Sequence, residues 1–153
     1  MVDLAEKLRS LKYNIRDPMA PTDADLINKL SAFVNNKLPQ EYIKFLNEFP
    51  HTGLFYYARS IVHDNKWVKS FCPEELYGTE MNGENLLFWQ AQYEYRNSDV
   101  LLIGSDKSGN QICIGVGQEN NGQIYFWDLD DPESGLYFVA ENFDKFILEL
   151  SSS

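Results

Sequence analysis

Hydrophobic side chains in the first third of the chain recur three and four residues apart. Leu4, Leu8, Leu11 and Ile15 fall on one side of a helical wheel, with Lys7, Arg9, Ser10 and Lys12 on the other. This spacing predicts an amphipathic helix over residues 3–15, ended by Pro18 and Pro21. A second helix is predicted from Thr22 to about Asn35. The Thr22 hydroxyl can accept from a first-turn N–H, Asp23 and Asp25 suit the positive end, and Leu26, Ile27, Leu30, Phe33 and Val34 form the apolar stripe. Leu38-Pro39 opens a third helix, because the missing N–H of proline costs nothing in a first turn. Tyr42, Phe45, Leu46 and Phe49 mark its inner side, and Pro50 and Gly53 stop it.

Beyond Gly53 the period shortens. Residues 54–62 are rich in aromatic and β-branched side chains and read as one strand. Residues 64–85 look irregular, with a short helical turn at 73–78. Residues 86–96 fit both templates, because Leu87, Trp89, Ala91, Tyr93 and Tyr95 alternate while Leu86, Trp89, Gln90 and Tyr93 trace a helical face. Helix is the preferred reading. Strands follow at 100–103, 111–116, 123–127 and 136–139. The turn-forming segments 106–110 and 119–122 between them imply antiparallel neighbours. Phe143, Phe146, Ile147 and Leu150 mark a closing helix over 141–150. Helices, then a sheet, then a helix describe an α+β domain.

Composition narrows the class. A chain of 153 residues with 44% hydrophobic side chains fits one domain, 1–153, with enough apolar surface to fold without metal or disulfide staples. The two cysteines, Cys72 and Cys113, lack CxxC spacing and read as buried free thiols. The opening residues 1–7 lack the basic start and apolar run of a signal peptide. No stretch approaches the ~18 apolar residues of a membrane span, so a cytoplasmic protein is expected. Charge changes the picture more. Acidic residues number 23 against 13 basic ones, a net charge of −10. Such a field repels phosphate backbones and attracts cationic partners, so direct nucleic-acid binding is disfavoured.

Candidate chemistry is sparse. There is no GxSxG, P-loop, GxGxxG or HExxH motif. His51 and His63 are placed at element ends, where surface or capping roles are expected, and Cys113 sits mid-strand in a packing position. Neither a cofactor nor a metal is called for. The densest acidic feature is Asp128, Asp130, Asp131 and Glu133, with Asp99, Asp106 and Glu119 near other strand ends. This run lacks the spacing and glycine of a calcium loop. It also lacks a cleft motif that would make it a glycosidase acid pair. A solvated loop and a docking surface for a cationic partner both remain open. By the two-residue period, Phe126 and Trp127 point to opposite sides of their strand, so one belongs to the core and the other reaches the surface. Trp89 and Tyr93 are further candidate anchors.

Several segments in order resemble the SUKH superfamily, the Smi/Knr-like proteins. Leu38-Pro39-Gln40-Glu41-Tyr42-Ile43-Lys44-Phe45-Leu46 resembles its LPxxYxxFL helix, and Ile103-Gly104-Ser105-Asp106-Lys107-Ser108-Gly109-Asn110 its IGxDxxGN turn. Residues 123–128 resemble its strand ending in Tyr-x-Trp-Asp, and residues 139–146 its closing helix. His51-Thr52-Gly53 stands where that family has an Asn-Gly pair. The resemblance covers roughly 22–150. It implies an α+β fold with a mixed, mostly antiparallel sheet flanked by N-terminal helices and a C-terminal helix. It also implies a non-enzymatic immunity protein, or antitoxin, that neutralises a cognate toxin by stoichiometric docking. A basic nuclease domain is the expected partner, with no membrane involved. The alternative is a regulatory interaction module of the same fold, in cell-wall synthesis or signalling. The expected contact residues are Asp128, Asp130, Asp131 and Glu133, then Asp99, Asp106, Glu119, Trp89 and Tyr93.

Overall fold

A computed structural model describes residues 3–63, 68–131 and 135–152. In chain order the elements are α1 (Leu4–Ser10), β1 (Asn14–Ile15), α2 (Leu26–Phe33), α3 (Gln40–Glu48), β2 (Gly53–Leu54), β3 (Ser60–His63), β4 (Val68–Phe71), β5 (Pro73–Leu76), α4 (Leu86–Gln92), β6 (Val100–Asp106), β7 (Gln111–Gly115), β8 (Ile124–Trp127), β9 (Leu136–Ala140) and α5 (Phe143–Leu148). The chain is thus α+β, as expected.

The first predicted helix stops early. Asp3 caps α1 by accepting from the Glu6 N–H at 2.7 Å, but Lys12 takes a left-handed φ of 56° and reverses the chain. Residues 14–15 then pair with β2, and Ile15 is exposed instead of lying on a helical stripe. Tertiary packing overrides periodicity here: the Tyr13 ring occupies the space a Cβ on Gly53 would need. Helix α2 also begins later than predicted. Thr22 forms a bridge with Glu80 and caps nothing, and Asp25 takes the N-cap position. Asn35 and Asn36, both at positive φ, end the helix, a conformation that asparagine tolerates better than most residues. Phe33, predicted for the inner stripe, is half exposed. Helix α3 follows the prediction, with Pro39 just ahead of it and Tyr42, Phe45 and Leu46 buried. Its rings meet those of α5: Tyr42 and Phe45 lie 5.4 and 4.6 Å from Phe143.

The main sheet has seven strands in the order β1-β2-β5-β6-β7-β8-β9, and every described pairing is antiparallel. Two predictions fail within it. The single strand expected over 54–62 divides, because only β2 joins this sheet while β3 leaves to pair with β4. The helical turn expected at 73–78 is strand β5, wedged between β2 and β6. Proline at the first position of a strand loses no ladder bond that the sheet requires, and two flanking strands outweigh the local Pro-Glu-Glu helix signal. Part of the stretch read as irregular, 64–67, lies outside the described residues.

The four-strand meander β6–β9 follows the predicted positions closely. Leu101, Ile112, Ile114, Ile124 and Phe126 enter the core that also holds the inner residues of α1, α2, α3 and α5. On that face the β3–β4 hairpin covers β8, with the rings of Phe71 and Phe126 4.5 Å apart. The opposite face of the meander carries α4, so the preferred helical reading of 86–96 holds for its first half. Gln90 seats that helix. β5 accompanies β6 only as far as Gly104, opposite Leu76, so Leu102 lacks a strand partner on that side. The Gln90 amide supplies one: Nε2 donates to the Leu102 carbonyl at 2.8 Å and Oε1 accepts from the Leu102 N–H at 3.0 Å. Cys113 is fully buried, and burial pushes its thiol up and out of the reactive range, while Cys72 is half-buried.

Candidate partner-docking surface

The acidic candidates divide between the two ends of the meander. At one end, Asp128, Asp130 and Asp131 form the tip between β8 and β9. The Asp128 carboxylate accepts from the Asp130 N–H at 3.0 Å and lies 3.7 Å from the Lys69 ammonium. Asp131 accepts from the Tyr137 hydroxyl at 2.8 Å, and Asp130 is exposed. Glu133 lies outside the described residues. The neighbouring turn is fastened to this tip, because the Leu129 N–H donates to the Asn110 side chain at 3.0 Å. Asp106 belongs to that turn and is buried. Its Oδ1 accepts from the N–H groups of Ser108 and Asn110, each at 2.9 Å, so it is a turn residue and its candidacy as a contact residue falls.

Asp99 and Glu119 are exposed at the other end, where the Asn120 amide donates to the Asp99 carbonyl at 3.1 Å. A seven-residue strand separates the two ends by roughly 20 Å at ~3.3 Å per residue. The carboxylates therefore do not make one patch.

What lies between the ends is aromatic. Register puts Trp127 opposite Gln111 and Tyr125 opposite Cys113, and sets Phe138 across from Tyr125, all on the face away from Phe126. The predicted split of the Phe126-Trp127 pair is observed: Phe126 is fully buried and Trp127 half-buried. Helix α4 and the residues after it wall one side of this face. Trp89 stacks on Tyr77 at 4.8 Å, and the Tyr77 hydroxyl donates to Gln111 at 2.7 Å. Tyr93 and Tyr95 reach Trp127, with ring centroids 5.8 and 5.6 Å away. Tyr125 and Phe138 continue the surface, 6.3 Å apart. Of the two predicted anchors, Tyr93 joins this cluster directly, while Trp89 supports it from beneath as a half-buried stacking partner. Tyr95 and Phe138, 73% and 39% exposed, went unpredicted. The alternation at 93–95 and 125–127 was visible in the sequence, but the meeting of the two segments across the sheet was not.

Arg96 closes this wall. Its guanidinium donates to the carbonyls of Gln90 and Tyr93 at 3.2 and 3.3 Å and lies over the Phe33 ring at 4.9 Å. Burial lowers its pKa, and burial likewise raises that of the Tyr93 hydroxyl, with Tyr95 adding to the effect.

Among the described residues no group of three or more His, Cys, Asp or Glu side chains could hold a metal ion, and no helix is long and apolar enough to cross a membrane. Two carboxylates do meet elsewhere, at a cavity of about 360 Å³ beside α1, α3 and α5. Glu41 accepts from the Asp144 N–H at 3.1 Å; burial raises its carboxyl and the Asp144 charge adds to this, outweighing the lowering effect of that N–H. Acid pairs that hydrolyse glycosides stand about 5–9.5 Å apart across the bond they cleave, so this contact serves to join α3 to α5.

The sequence profile of the SMI1 / KNR4 family (SUKH-1) matches residues 21–149, which include every element from α2 to α5. The chain belongs to that family. No curated protein and no solved structure matches it. For this SUKH-1 protein the LPxxYxxFL segment leads into α3 and forms most of it, and the IGxDxxGN segment is the end of β6 with the turn that Asp106 holds. Thr52, at the position of the family's Asn-Gly pair, donates from both its N–H and its hydroxyl to the buried Glu80 carboxylate. The Glu80 backbone is separately paired with Thr22, which leaves Thr22 in an extended bridge and not at a helix cap.

Proposed function

We propose that this SUKH-1 protein is an immunity protein, acting in the cytoplasm, that neutralises a cognate toxin by stoichiometric docking. The observation that carries this reading is the open aromatic face of β8 and β9, walled by Tyr93 and Tyr95 and edged by the acidic tip at Asp128, Asp130 and Asp131. Clustered aromatic side chains with charged rims are the usual composition of binding hot spots. A standard interface takes about 800 Å² from each partner, with aromatic anchors inside and polar groups around them. The net charge of −10 favours a basic partner, and a nuclease domain, whose cleft must attract phosphate, fits that requirement. Binding is then the activity and nothing is turned over.

The test is co-expression with the candidate toxin domain encoded beside this protein, followed by affinity capture and titration of toxin activity. A stable one-to-one complex with activity lost in proportion is the expected result. Absence of a complex with toxicity unchanged would refute neutralisation and leave the regulatory interaction module as the better reading.

A further inference from the structure

Tyr93, Tyr95 and Trp127 are mutual neighbours. Their centroids lie 5.8, 5.6 and 6.1 Å apart, and each pair of rings meets at 62–70°, the edge-to-face arrangement that aromatic quadrupoles favour. Tyr95 is thus held by two rings although it is 73% exposed, so little side-chain freedom remains to be lost when a partner arrives.

The other exposed tyrosines provide a contrast. Tyr56 has the Lys12 ammonium 5.8 Å from its ring centre, and Tyr57 has that of Lys107 at 4.6 Å. Among the described residues Tyr95 has no such cation, and its chain neighbour Arg96 is turned to Phe33 and to two carbonyls. Two exposed carboxylates stand close to the triad in sequence: Glu94 between the two tyrosines and Asp130 three residues beyond Trp127. A held, exposed ring on an acidic chain, with no cation over it among the described residues, is suited to receive a positive charge.

We propose that Tyr95, positioned by Tyr93 and Trp127 on a chain of net charge −10, receives a guanidinium or ammonium side chain of a basic protein partner. This rests on the reading above that the aromatic face is the docking surface. The probe is a peptide of alternating arginine and glycine, titrated into the full-length protein and followed by amide and indole NMR shifts. A matched peptide with citrulline in place of arginine removes the charge. Expected are shifts centred on residues 93–95 and the Trp127 indole, much reduced with citrulline. Tyr95→Ala and Tyr95→Leu should each weaken the arginine peptide about three- to tenfold, the range that cation–π contacts span, while Tyr56→Ala should leave it unchanged. The same spectra report whether each variant is folded. Shifts centred on Asp99 and Glu119, or equal affinity for wild type and Tyr95→Leu, would overturn the proposal.

Toxin capture separates the two readings. If wild type and Tyr95→Ala capture and neutralise the toxin equally, the role of Tyr95 fails and the immunity function stands. If wild type captures no toxin while the peptide still maps to Tyr95, the immunity function fails and the cation site stands.

Discussion

Gln90 does by side chain what a strand does by backbone. Its amide offers one acceptor and two donors, and three hydrogen bonds use them: two with Leu102 and one to the Leu86 carbonyl at 2.9 Å. Leucine in its place would match the volume but leave the N–H and C=O of Leu102 buried without partners on that side. Each buried orphan costs about 1–3 kcal/mol, so Gln90→Leu should lose about 2–6 kcal/mol, measured by urea unfolding. An unchanged midpoint would show that β6 does not need this side chain. Because α4 carries the wall that ends in Tyr93 and Tyr95, the same variant should also disturb the indole signal of Trp127.

At the scale of elements, α3 and α5 are joined where Glu41 receives the first-turn N–H of Asp144. Asn142 caps the same helix by accepting from the Lys145 N–H at 2.8 Å, so two side chains share the donors at the start of α5. Burial, aided by the Asp144 charge, raises the Glu41 carboxyl in the folded state against the lowering effect of the Asp144 N–H. The folded protein therefore binds this proton more readily than the unfolded chain, and stability falls as pH rises from the unfolded value through the folded one. Asp3, Glu48 and Lys44 also line this site; the cation opposes the effect and the acids add to it. Glu41→Gln keeps an acceptor for the Asp144 N–H but cannot ionise. Its stability relative to wild type should grow between pH 4 and pH 7 and vanish at lower pH, as read from denaturation midpoints. A constant difference across that range would mean that Glu41 does not titrate in the folded protein with a raised pKa.

For the whole molecule, long-range attraction and short-range anchoring are assigned to different residues. In the proposed docking, exposed carboxylates such as Asp130 and Glu94 act on the approach of the basic partner, while Tyr95 acts once contact is made. Replacing Asp130 and Glu94 with Asn and Gln should slow association with the toxin domain and flatten its salt dependence. Tyr95→Ala should chiefly speed dissociation. Asp99→Asn with Glu119→Gln, at the far end of the meander, should alter both rates least. Surface-binding kinetics at two salt concentrations distinguish these outcomes, and a dominant effect of the Asp99 and Glu119 pair would move the docking surface to that end.

The sequence by itself determined the α+β class, the meander β6–β9, helices α3 and α5, and the opposite orientations of Phe126 and Trp127. These follow from periodicity and turn chemistry, which act between residues close in the chain. Tertiary structure decided the rest. It made 73–76 a strand by placing it between two others, cut the first helix short so that Tyr13 could pack over Gly53, and buried Asp106 in its own turn. It also set the Asp99 and Glu119 end apart from the acidic tip and brought Tyr93 and Tyr95 against Trp127. Those outcomes depend on contacts between residues distant in sequence, where a neighbour's volume and hydrogen bonds outweigh local preference.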